Sequence, residues 1–263
     1  MSNQSAKGTV LVTGASSGIG AALARTFASH GFSLVLTARR ENLLQELSDE
    51  LSSETDVSYI VSDLASTEGV SVLIDQLTNR DISVDVLINN AGIAYSENFD
   101  LIDDTKIQQL ISLNITALST LTHHFVKEMK RRGAGRILNV ASVAAFQPVP
   151  SMSIYAASKA FVLSLTESLS EELRDTGVSV TALCPGLTNT DMVQDLAASN
   201  VPPFMMSKVE DVAREGYEAL MAREVIRIPG VANQAAVTWA KHQPRWLVRG
   251  IGGLVSRFGP GRS

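Results

Sequence analysis

Tyr155 and Lys159 are the two residues whose types and spacing are best suited to chemistry. Lys159 follows Tyr155 by four positions, and the apolar spacing from Ile154 to Arg174 predicts a helix, so both side chains lie on one face of its first turns. A tyrosine normally keeps its proton up to a pKa of about 10, and a nearby ammonium group lowers that value by stabilising the phenolate. The pair can therefore supply a proton donor near neutral pH. Taken alone, it is equally consistent with two surface side chains.

Ser142 is the third residue of this candidate group. It follows the apolar run Ile137 to Val140, which has the pattern of a buried strand. A hydroxyl at the C-terminal end of that strand is placed to hold a carbonyl oxygen within reach of the Tyr155 phenol. The three residues together are suited to moving a proton to or from an oxygen on a carbonyl or alcohol carbon.

The composition is typical of one large α/β domain. The chain has 263 residues, 45% of them hydrophobic, and its net charge of −5 argues against general nucleic-acid binding. No uncharged apolar run reaches the length of a membrane span and the first eight residues are polar, so we expect a cytoplasmic protein. The single cysteine, Cys184, excludes an internal disulfide, and with four scattered histidines no zinc cluster is predicted. We interpret Cys184 as a buried structural thiol.

A glycine-rich turn follows the first predicted strand, Val10 to Val12, and precedes a helical pattern. Its glycines allow a tight turn and close approach to a pyrophosphate, whose charge is favoured by the free N–H groups and dipole at the helix N-terminus. An ordinary strand-to-helix turn is the alternative. The residues predicted to bind a dinucleotide here are Gly14, Ser16, Ser17, Gly18, Ile19 and Gly20.

The second predicted strand, Ser33 to Thr37, ends in Ala38, Arg39 and Arg40. An acidic residue near this point would bind ribose hydroxyls and repel a 2′-phosphate, whereas an arginine offers a planar donor fork suited to phosphate. We therefore predict that Arg39 binds the 2′-phosphate and that NADP(H) is preferred over NAD(H). The alternative is that both arginines are solvated at the start of the helix Glu41 to Leu51.

The strand Val57 to Val61 leads to Asp63 and Leu64, which we predict to contact the adenine. Asp63 is equally suited to capping a helix that starts near Ser66. The strand Val84 to Ile88 leads to four small residues, of which the two asparagines can tie strand ends together and the glycine leaves room for a flat ring. A purely structural turn is the alternative for the first of these. The four residues are Asn89, Asn90, Ala91 and Gly92.

One long helix is predicted from Asp103 to Arg132, with Asn114 in its middle. A polar amide among apolar neighbours is costly to bury without partners, so Asn114 is expected to make specific hydrogen bonds. His123 and His124 are adjacent and cannot share one helix face as a metal pair would; we interpret them as solvated or packed side chains.

Strands alternating with helices predict a three-layer α/β/α fold with a doubly wound parallel sheet, in which ligands bind at the carboxyl ends of the strands. The last predicted strand, Val178 to Leu183, also ends at this edge, next to Pro185 and Gly186. We place one catalytic and cofactor-binding domain at residues 1–230 and a helical tail at residues 231–263.

These elements resemble the short-chain dehydrogenase/reductase family from about Lys7 to Thr190. The motifs that carry the resemblance are Thr13-Gly-x-x-x-Gly-x-Gly20, Asp63, Asn89-Asn-Ala-Gly92, Asn114, Ser142, Tyr155-x-x-x-Lys159 and Pro185-Gly186.

The resemblance implies a Rossmann domain that binds NAD(P) and a catalytic group of Ser142, Tyr155 and Lys159, extended by Asn114. Tyr155 would protonate the carbonyl oxygen as hydride arrives, Ser142 would hydrogen-bond that oxygen, and Lys159 would bind the nicotinamide ribose and lower the pKa of Tyr155. Asn114 would hold a water that links Lys159 to solvent. Tyr155, Lys159, Pro185, Gly186 and Thr188 are predicted to complete the cofactor site.

The resemblance ends after Thr190, where many members close with a strand and a glycine-rich end that help to form a tetramer. Here residues from Val225 onward look like an added helical tail, so we expect a dimer through the helices that begin near Asp103 and Ile154. The stripe Phe161, Leu165 and Leu169 would form the contact, with core packing as its alternative.

The tail carries two tryptophans, and the chain has no acidic residue after Glu224. The six basic residues after Glu224 leave a net charge of −11 for the rest of the chain. Contact with an anionic membrane, cover for an acyl-chain pocket and simple intramolecular packing all suit it.

We predict a hydrophobic lid at about residues 188–207, rich in methionine, with Phe146, Val149 and Met152 on the opposite side. The predicted activity is NADPH-dependent reduction of a hydrophobic ketone or aldehyde, such as a 3-oxoacyl or steroid-like substrate. A non-catalytic NADPH-binding sensor or scaffold is the alternative, but it does not account for the Ser, Asn, Tyr and Lys residues being present together. An epimerase or dehydratase would need further acid or base residues and a larger substrate domain.

Overall fold

The computed structural model of the chain describes residues 7–192, 206–244, 246–247 and 249–250. Strands and helices alternate through most of this part. The strands are β1 Thr9–Thr13, β2 Ser33–Ala38, β3 Val57–Val61, β4 Val86–Asn89, β5 Gly135–Val140, β6 Val178–Leu183 and β7 Ile226–Arg227. The helices are α1 Gly18–Ser29, α2 Glu41–Leu51, α3 Thr67–Asn79, α4 Asp104–Ile111, α5 Leu118–Arg132, α6 Ser153–Glu172, α7 Val209–Met221 and α8 Val231–Lys241.

The seven strands form one parallel sheet in the order β3-β2-β1-β4-β5-β6-β7. The order reverses between β1 and β4, which is where ligands of doubly wound sheets bind. The predicted Rossmann fold is therefore confirmed. The predicted bounds of α2, β3 and β6 agree with the structure residue for residue.

The core lies on both faces of the sheet, and alternate residues of β1 contribute to each layer. Val10 and Val12 pack with α1, α2 and α7, whereas Leu11 packs with α3 and α5. All three are fully buried, as expected for a central parallel strand covered on both faces. A smaller cluster around Val162 and Cys184 joins α6 to the end of β6.

Several predicted elements differ from the structure in their bounds or type. The strand predicted from Val84 begins at Val86; before it, the Asp85 carboxylate accepts the Thr9 N–H at 2.8 Å and the Asp85 N–H donates to the Thr9 carbonyl at 2.9 Å. The helix predicted from Asp103 to Arg132 contains a π-helical segment, Ser112–Ala117, between α4 and α5. Residues Ile226–Arg227, in the segment from Val225 that was expected to resemble a helical tail, instead form β7 and pair with β6.

The first part of the tail forms α8, which packs on the short 3₁₀ helix Val143–Phe146. Val237 is buried there, while Trp239 is 49% exposed. This favours intramolecular packing for α8. Residues 251–263 and the predicted lid from 193 to 205 lie outside the described residues, and the membrane hypothesis stays a prediction. No helix in the described part is long and apolar enough to span a membrane.

Candidate active site

The predicted site residues meet in one cleft at the carboxyl edge of the sheet, across the reversal between β1 and β4. The cleft contains about 1210 Å³ of empty space, including its open mouth. Residues that follow or end strands β1 to β6 line it. The lining residues are Gly14, Ser16, Ser17, Gly18, Ile19, Ala38, Arg39, Arg40, Ser62, Asp63, Leu64, Asn90, Ala91, Gly92, Ile93, Leu113, Val140, Ala141, Ser142, Tyr155, Lys159, Pro185, Gly186, Thr188, Thr190, Asp191 and Met192.

The glycine-rich turn requires glycine for reasons visible in its packing. Gly14 has φ +65°, and a Cβ there would lie 2.8 Å from the Ala91 Cα. Asn90 fixes the turn because its side-chain amide donates to the carbonyls of Thr13 and Gly14 at 2.9 and 3.1 Å. The turn therefore presents bare backbone to the cleft, which suits a pyrophosphate at the start of α1.

Gly20, predicted to bind the dinucleotide, is absent from the lining. A Cβ at this position would lie 2.3 Å from the Gly14 carbonyl oxygen and 2.4 Å from Asn90 Nδ2. The third glycine thus allows the first turn of α1 to pack against the loop itself. This is a packing role, and it supports the cleft from behind.

Both arginines after β2 line the cleft. The Arg40 side chain is held in place by contacts with two serines and an aspartate. Its guanidinium donates to Ser16 Oγ at 3.0 Å and to Ser17 Oγ at 2.7 Å. It also lies 3.6 Å from the Asp191 carboxylate. Arg39 was predicted to bind the cofactor, although the sequence does not indicate which arginine turns inward. The serine hydroxyls that hold Arg40 come from a distant part of the chain, and its sequence neighbours give no signal of them.

Asp63 lines the cleft together with Leu64. Its carboxylate accepts the Ala65 N–H at 3.1 Å, whereas Ser66 Oγ accepts the Gly69 N–H at 2.9 Å and caps α3. The alternative that Asp63 caps this helix is therefore wrong. Among the described residues none donates a hydrogen bond to the other carboxylate oxygen, which is therefore available to a ligand in the cleft.

Asn89 is buried and structural. Its amide donates to Thr122 Oγ1 and to Asn139 Oδ1, both at 2.9 Å, and Asn139 in turn donates to Thr166 Oγ1 at 2.9 Å. These bonds join β4 and β5 to α5 and α6. The structural alternative stated for Asn89 is thus the one the structure supports.

Ser142, Tyr155 and Lys159 converge on the wall of the cleft opposite the glycine-rich turn. Ser142 hydrogen-bonds the Tyr155 side chain. Lys159 is 5% exposed; its Nζ lies 5.7 Å from the centroid of the Tyr155 ring and donates to the Val140 carbonyl at 2.8 Å. Gly92 lies beside this ammonium: a Cβ there would be 3.5 Å from Nζ, an ordinary contact, and 3.3 Å from Asn114 Oδ1.

The pKa values of the pair differ from expectation. Burial raises the pKa of Tyr155, and the hydrogen bond with Ser142 opposes this only in part. Burial also lowers the pKa of Lys159 to about 8. The expected lowering of the Tyr155 pKa by Lys159 is absent because the ammonium is turned toward the Val140 carbonyl. In this state the phenol holds its proton.

Asn114 lies behind the cleft wall in the π-helical segment. Its amide donates to the Ile93 carbonyl at 2.9 Å and to Ser158 Oγ at 3.1 Å, and its Oδ1 accepts the Ile93 N–H at 2.9 Å. Because these bonds use both donors and one acceptor site, the side chain is committed to the protein. A π-helical turn at this point is of the kind found at functional sites.

The turn after β6 completes the wall with Pro185, Gly186 and Thr188. A Cβ on Gly186 would lie 2.5 Å from Asn233 Oδ1 of α8, so the tail packs directly on this turn. Burial raises the pKa of the Cys184 thiol to about 12, which agrees with its interpretation as structural. Among the described residues no cluster of His, Cys, Asp and Glu could hold a metal ion.

Only some of the residues predicted to surround the substrate line the cleft. Met192 and Ile93 line the cleft, but Phe146, Val149 and Met152 do not. Phe146 packs against the cluster around Cys184, and Lys241 Nζ lies 4.7 Å from the centroid of its ring. Thr190 and Asp191, which fall within the predicted lid, line the cleft and lie beside Gly18 and Arg40, which are distant in the sequence.

Comparisons with known proteins agree with this geometry. A family model described as short chain dehydrogenase matches residues 8–200. The chain belongs to the short-chain dehydrogenase/reductase family. It is thus an oxidoreductase acting on carbonyl and alcohol groups, and the family uses a nicotinamide cofactor.

Individual members of the family resemble the chain over much of its length. Sulfoacetaldehyde reductase 2 of Chromohalobacter salexigens is 42% identical over 187 residues, which are 69% of this chain and 73% of that protein. A short-chain dehydrogenase from Sphingobium yanoikuyae in complex with NADPH is 34% identical, with a TM-score of 0.81 over 97% of this chain and 98% of its own. A bulky-bulky ketone specific alcohol dehydrogenase from Comamonas testosteroni is 31% identical, with a TM-score of 0.77 over 97% and 96%.

The Lys159 pKa of about 8 predicts a pH dependence. We expect kcat/KM for carbonyl reduction to fall as the pH rises through about 8, since kcat/KM reports groups of the free enzyme and the ammonium loses its charge there. Steady-state kinetics in overlapping buffers would measure it. The exposed Lys208→Gln variant should keep the same profile, and a wild-type profile that stays flat well above this pH would contradict the prediction.

Proposed function

We propose that this chain reduces a hydrophobic ketone or aldehyde with NADPH. The observation that supports this best is the convergence of Ser142, Tyr155 and Lys159 on a cleft whose other wall is the glycine-rich turn. A proton donor and a dinucleotide cradle then face each other across the space that a carbonyl would fill. Carbonyl reduction needs this arrangement, because hydride adds to the carbonyl carbon from one side while the carbonyl oxygen receives a proton from another.

The residues present fit a nicotinamide dinucleotide. The bare backbone at Gly14 and Gly18 leaves space that a Cβ would fill, and Lys159 offers an ammonium beside Gly92. Backbone N–H groups at the start of α1 suit the pyrophosphate, and Asp63 offers a carboxylate on the adenosine side. When bound, the cofactor supplies the hydride.

The residues of the chain handle the proton and the developing charge. Tyr155 donates its phenolic proton to the carbonyl oxygen, and Ser142, hydrogen-bonded to that phenol, stabilises the charge on the oxygen. Lys159, whose ammonium donates to the Val140 carbonyl, lies 5.7 Å from the centroid of the ring that carries the phenolate left behind. In carbonyl reduction the proton therefore moves from Tyr155 to the product alcohol, and the phenol is restored from solvent.

The raised pKa of Tyr155 keeps the phenol protonated near neutral pH, which is the state that carbonyl reduction needs. A protonated phenol is ready to act as an acid, whereas alcohol oxidation requires the phenolate as a base. Oxidation is accordingly favoured at a higher pH than reduction.

Arg40 and Arg39 support the preference for NADPH. Arg40 lies with the hydroxyls of Ser16 and Ser17 at the mouth of the cleft, and both arginines line it. This offers two guanidinium groups and two hydroxyls to a 2′-phosphate, and β2 ends without the acidic residue that would repel it. The similar Sphingobium yanoikuyae structure is a complex with NADPH.

A hydrophobic substrate is supported by Ile93, Leu113 and Met192, which lie on the cleft wall. The similar Comamonas testosteroni enzyme is named for bulky ketones. The sulfoacetaldehyde reductase named above also reduces a carbonyl group, in this case that of a small charged aldehyde.

A sensor that binds NADPH without turnover is the second candidate function. The hydrogen-bonded Ser142 and Tyr155 side chains argue against it, since cofactor binding alone has no need of them.

A homodimer through α4 and α6 is also part of the proposal. The two helices contact each other and expose Ile111 at 41% and Phe161 at 40%. Phe99 and Leu101, which precede α4, are exposed at 67% and 70%. Leu165 and Leu169 instead pack partly against the core, so only Phe161 of the predicted stripe is available to a partner.

Tyr155→Phe tests the catalytic proposal. We expect turnover to fall by roughly 10³-fold, because the variant keeps the ring but has no proton to donate, while NADPH binding stays near wild type. NADPH oxidation measured against a panel of bulky ketones, 3-oxoacyl thioesters and aldehydes would check the first expectation, and fluorescence titration the second. Turnover by the variant close to wild type would show that the proton comes from elsewhere; binding without any turnover by the wild type would favour the sensor.

Arg39→Ala and Arg40→Ala, made separately, test the cofactor preference. Each should raise KM for NADPH by about tenfold or more and leave KM for NADH nearly unchanged, because a charge-assisted bond to the 2′-phosphate is lost. Arg80→Ala, an exposed arginine on the far side of β3, is the matched control. Equal losses for both cofactors would remove the arginine concerned from phosphate recognition.

Phe161→Glu tests the dimer. A charge in the centre of the proposed apolar contact should convert the dimer to a monomer in sedimentation velocity, because a buried unpaired carboxylate is strongly unfavourable. Val231→Glu, on α8 and 82% exposed, should leave the dimer intact. A monomeric wild-type protein, or a Phe161→Glu dimer, would overturn this part of the proposal.

A further inference from the structure

Ser158 lies one residue before Lys159 and is 1% exposed. Its hydroxyl donates to the Tyr155 carbonyl at 2.7 Å and accepts from Asn114 Nδ2 at 3.1 Å. The hydroxyl thus acts as donor and acceptor at once. Neither bond reaches the cleft, and Ser158 is not among its lining residues.

Asn114 extends this link to a third segment. Its amide is bonded to both the N–H and the carbonyl of Ile93, the residue after Gly92. The bonds from Ser158 to Asn114 and from Asn114 to Ile93 therefore connect α6, the π-helical segment and the loop after β4. These are three of the segments that enclose the Lys159 ammonium.

A serine in a helix often donates a hydrogen bond to a backbone carbonyl of the preceding turn, and such a bond alone does not indicate a function. Ser71 in α3, for example, donates to the Glu68 carbonyl at 2.9 Å on an exposed surface. Ser158 differs in two respects, because it is buried and because its oxygen also accepts a side-chain amide from another element. Removing that acceptor would leave an Asn114 donor without its partner in a site that is 1% exposed.

We propose that Ser158 is a positioning residue, which fixes the direction of Tyr155 and Lys159 by fastening the first turns of α6 to Asn114. The proposal rests on the proposed reductase activity. Ser158 touches neither substrate nor cofactor and acts through Asn114. Its loss lets α6 shift against the loop after β4 and admits water beside the ammonium.

The environment of Lys159 gives a readout that a merely structural role would not move. Its titratable neighbours are Tyr155 on the same helix and Cys184 after β6, and burial among them holds its pKa near 8. Water admitted beside the ammonium moves this pKa upward, toward the ordinary value of a lysine. NMR of ¹³Cε-labelled lysine measures it without any turnover.

Ser158→Ala should lower kcat by about tenfold, leave the Kd for NADPH within about twofold and move the Lys159 pKa upward. Ser158→Cys, which keeps the shape and offers only weak hydrogen bonds, covers the case in which the alanine variant is poorly folded. Ser164→Ala, an exposed serine on the same helix, should match the wild type in all three measurements.

A double-mutant cycle separates action through Asn114 from independent packing. If Ser158 acts through Asn114, Ser158→Ala causes no further loss of kcat in an Asn114→Ala background. Additive losses, or a Ser158→Ala variant with wild-type kcat and wild-type Lys159 pKa, would overturn the proposal. An inactive wild type would instead refute the reductase, and the NMR titration would still decide the role of Ser158.

Discussion

Burying an ammonium group at the carboxyl edge of the sheet is the constraint on which this structure depends. Lys159 is 5% exposed, and a charge so placed is costly unless its donors are satisfied. The Val140 carbonyl at the end of β5 accepts one donor at 2.8 Å, and Gly92 keeps the adjacent space free of a side chain. The lowered pKa of Lys159 is the remaining cost, and it places the titration of this group close to physiological pH.

The sheet order makes this arrangement possible, because the reversal between β1 and β4 brings two distant loops together. Asn90, after β4, donates to the carbonyls of Thr13 and Gly14, and Thr13 Oγ1 accepts the N–H groups of Asn90 and Ala91 at 3.0 Å. The glycine-rich turn and the loop that carries Gly92 are thereby locked to each other. One side of the cleft can thus present bare backbone to a dinucleotide, while the other side holds Tyr155, the proposed proton donor.

Sequence reasoning located the fold and most of the lining, because these depend on patterns that are local in the chain. Apolar runs bounded by turns specify parallel strands, and polar residues directly after them must meet at one edge. Local patterns do not predict the hydrogen bonds and packing contacts between segments that are distant in the chain. The bonds of Arg40 to Ser16 and Ser17 follow from the side-chain directions of two different loops. The packing of Gly20 against Gly14 depends on the angle at which α1 leaves the turn.

The same limit explains the pKa of Tyr155 and the role of Asn114. Spacing places an ammonium and a phenol on one helix face, but whether the charge points at the phenol depends on a carbonyl from β5. The predicted helix across Asn114 has the right apolar face, yet the amide bonds to Ile93 accompany a π-helical turn that periodicity does not reveal. In both cases a competing hydrogen-bond partner from another element outweighs the local preference.

The C-terminal part of the chain is joined to the active site through the turn after β6. Asn233 of α8 packs on Gly186, and its amide donates to the Pro229 carbonyl at 2.8 Å, so the helix is fixed against that turn. The same turn holds the loop that carries Ser142, since the Pro185 carbonyl accepts the Val143 N–H at 2.9 Å. Lys241 lies over Phe146 at the other end of that loop. The position of Ser142 is therefore supported from both ends by contacts that include α8, so this helix packs as part of the same folded unit as the cleft.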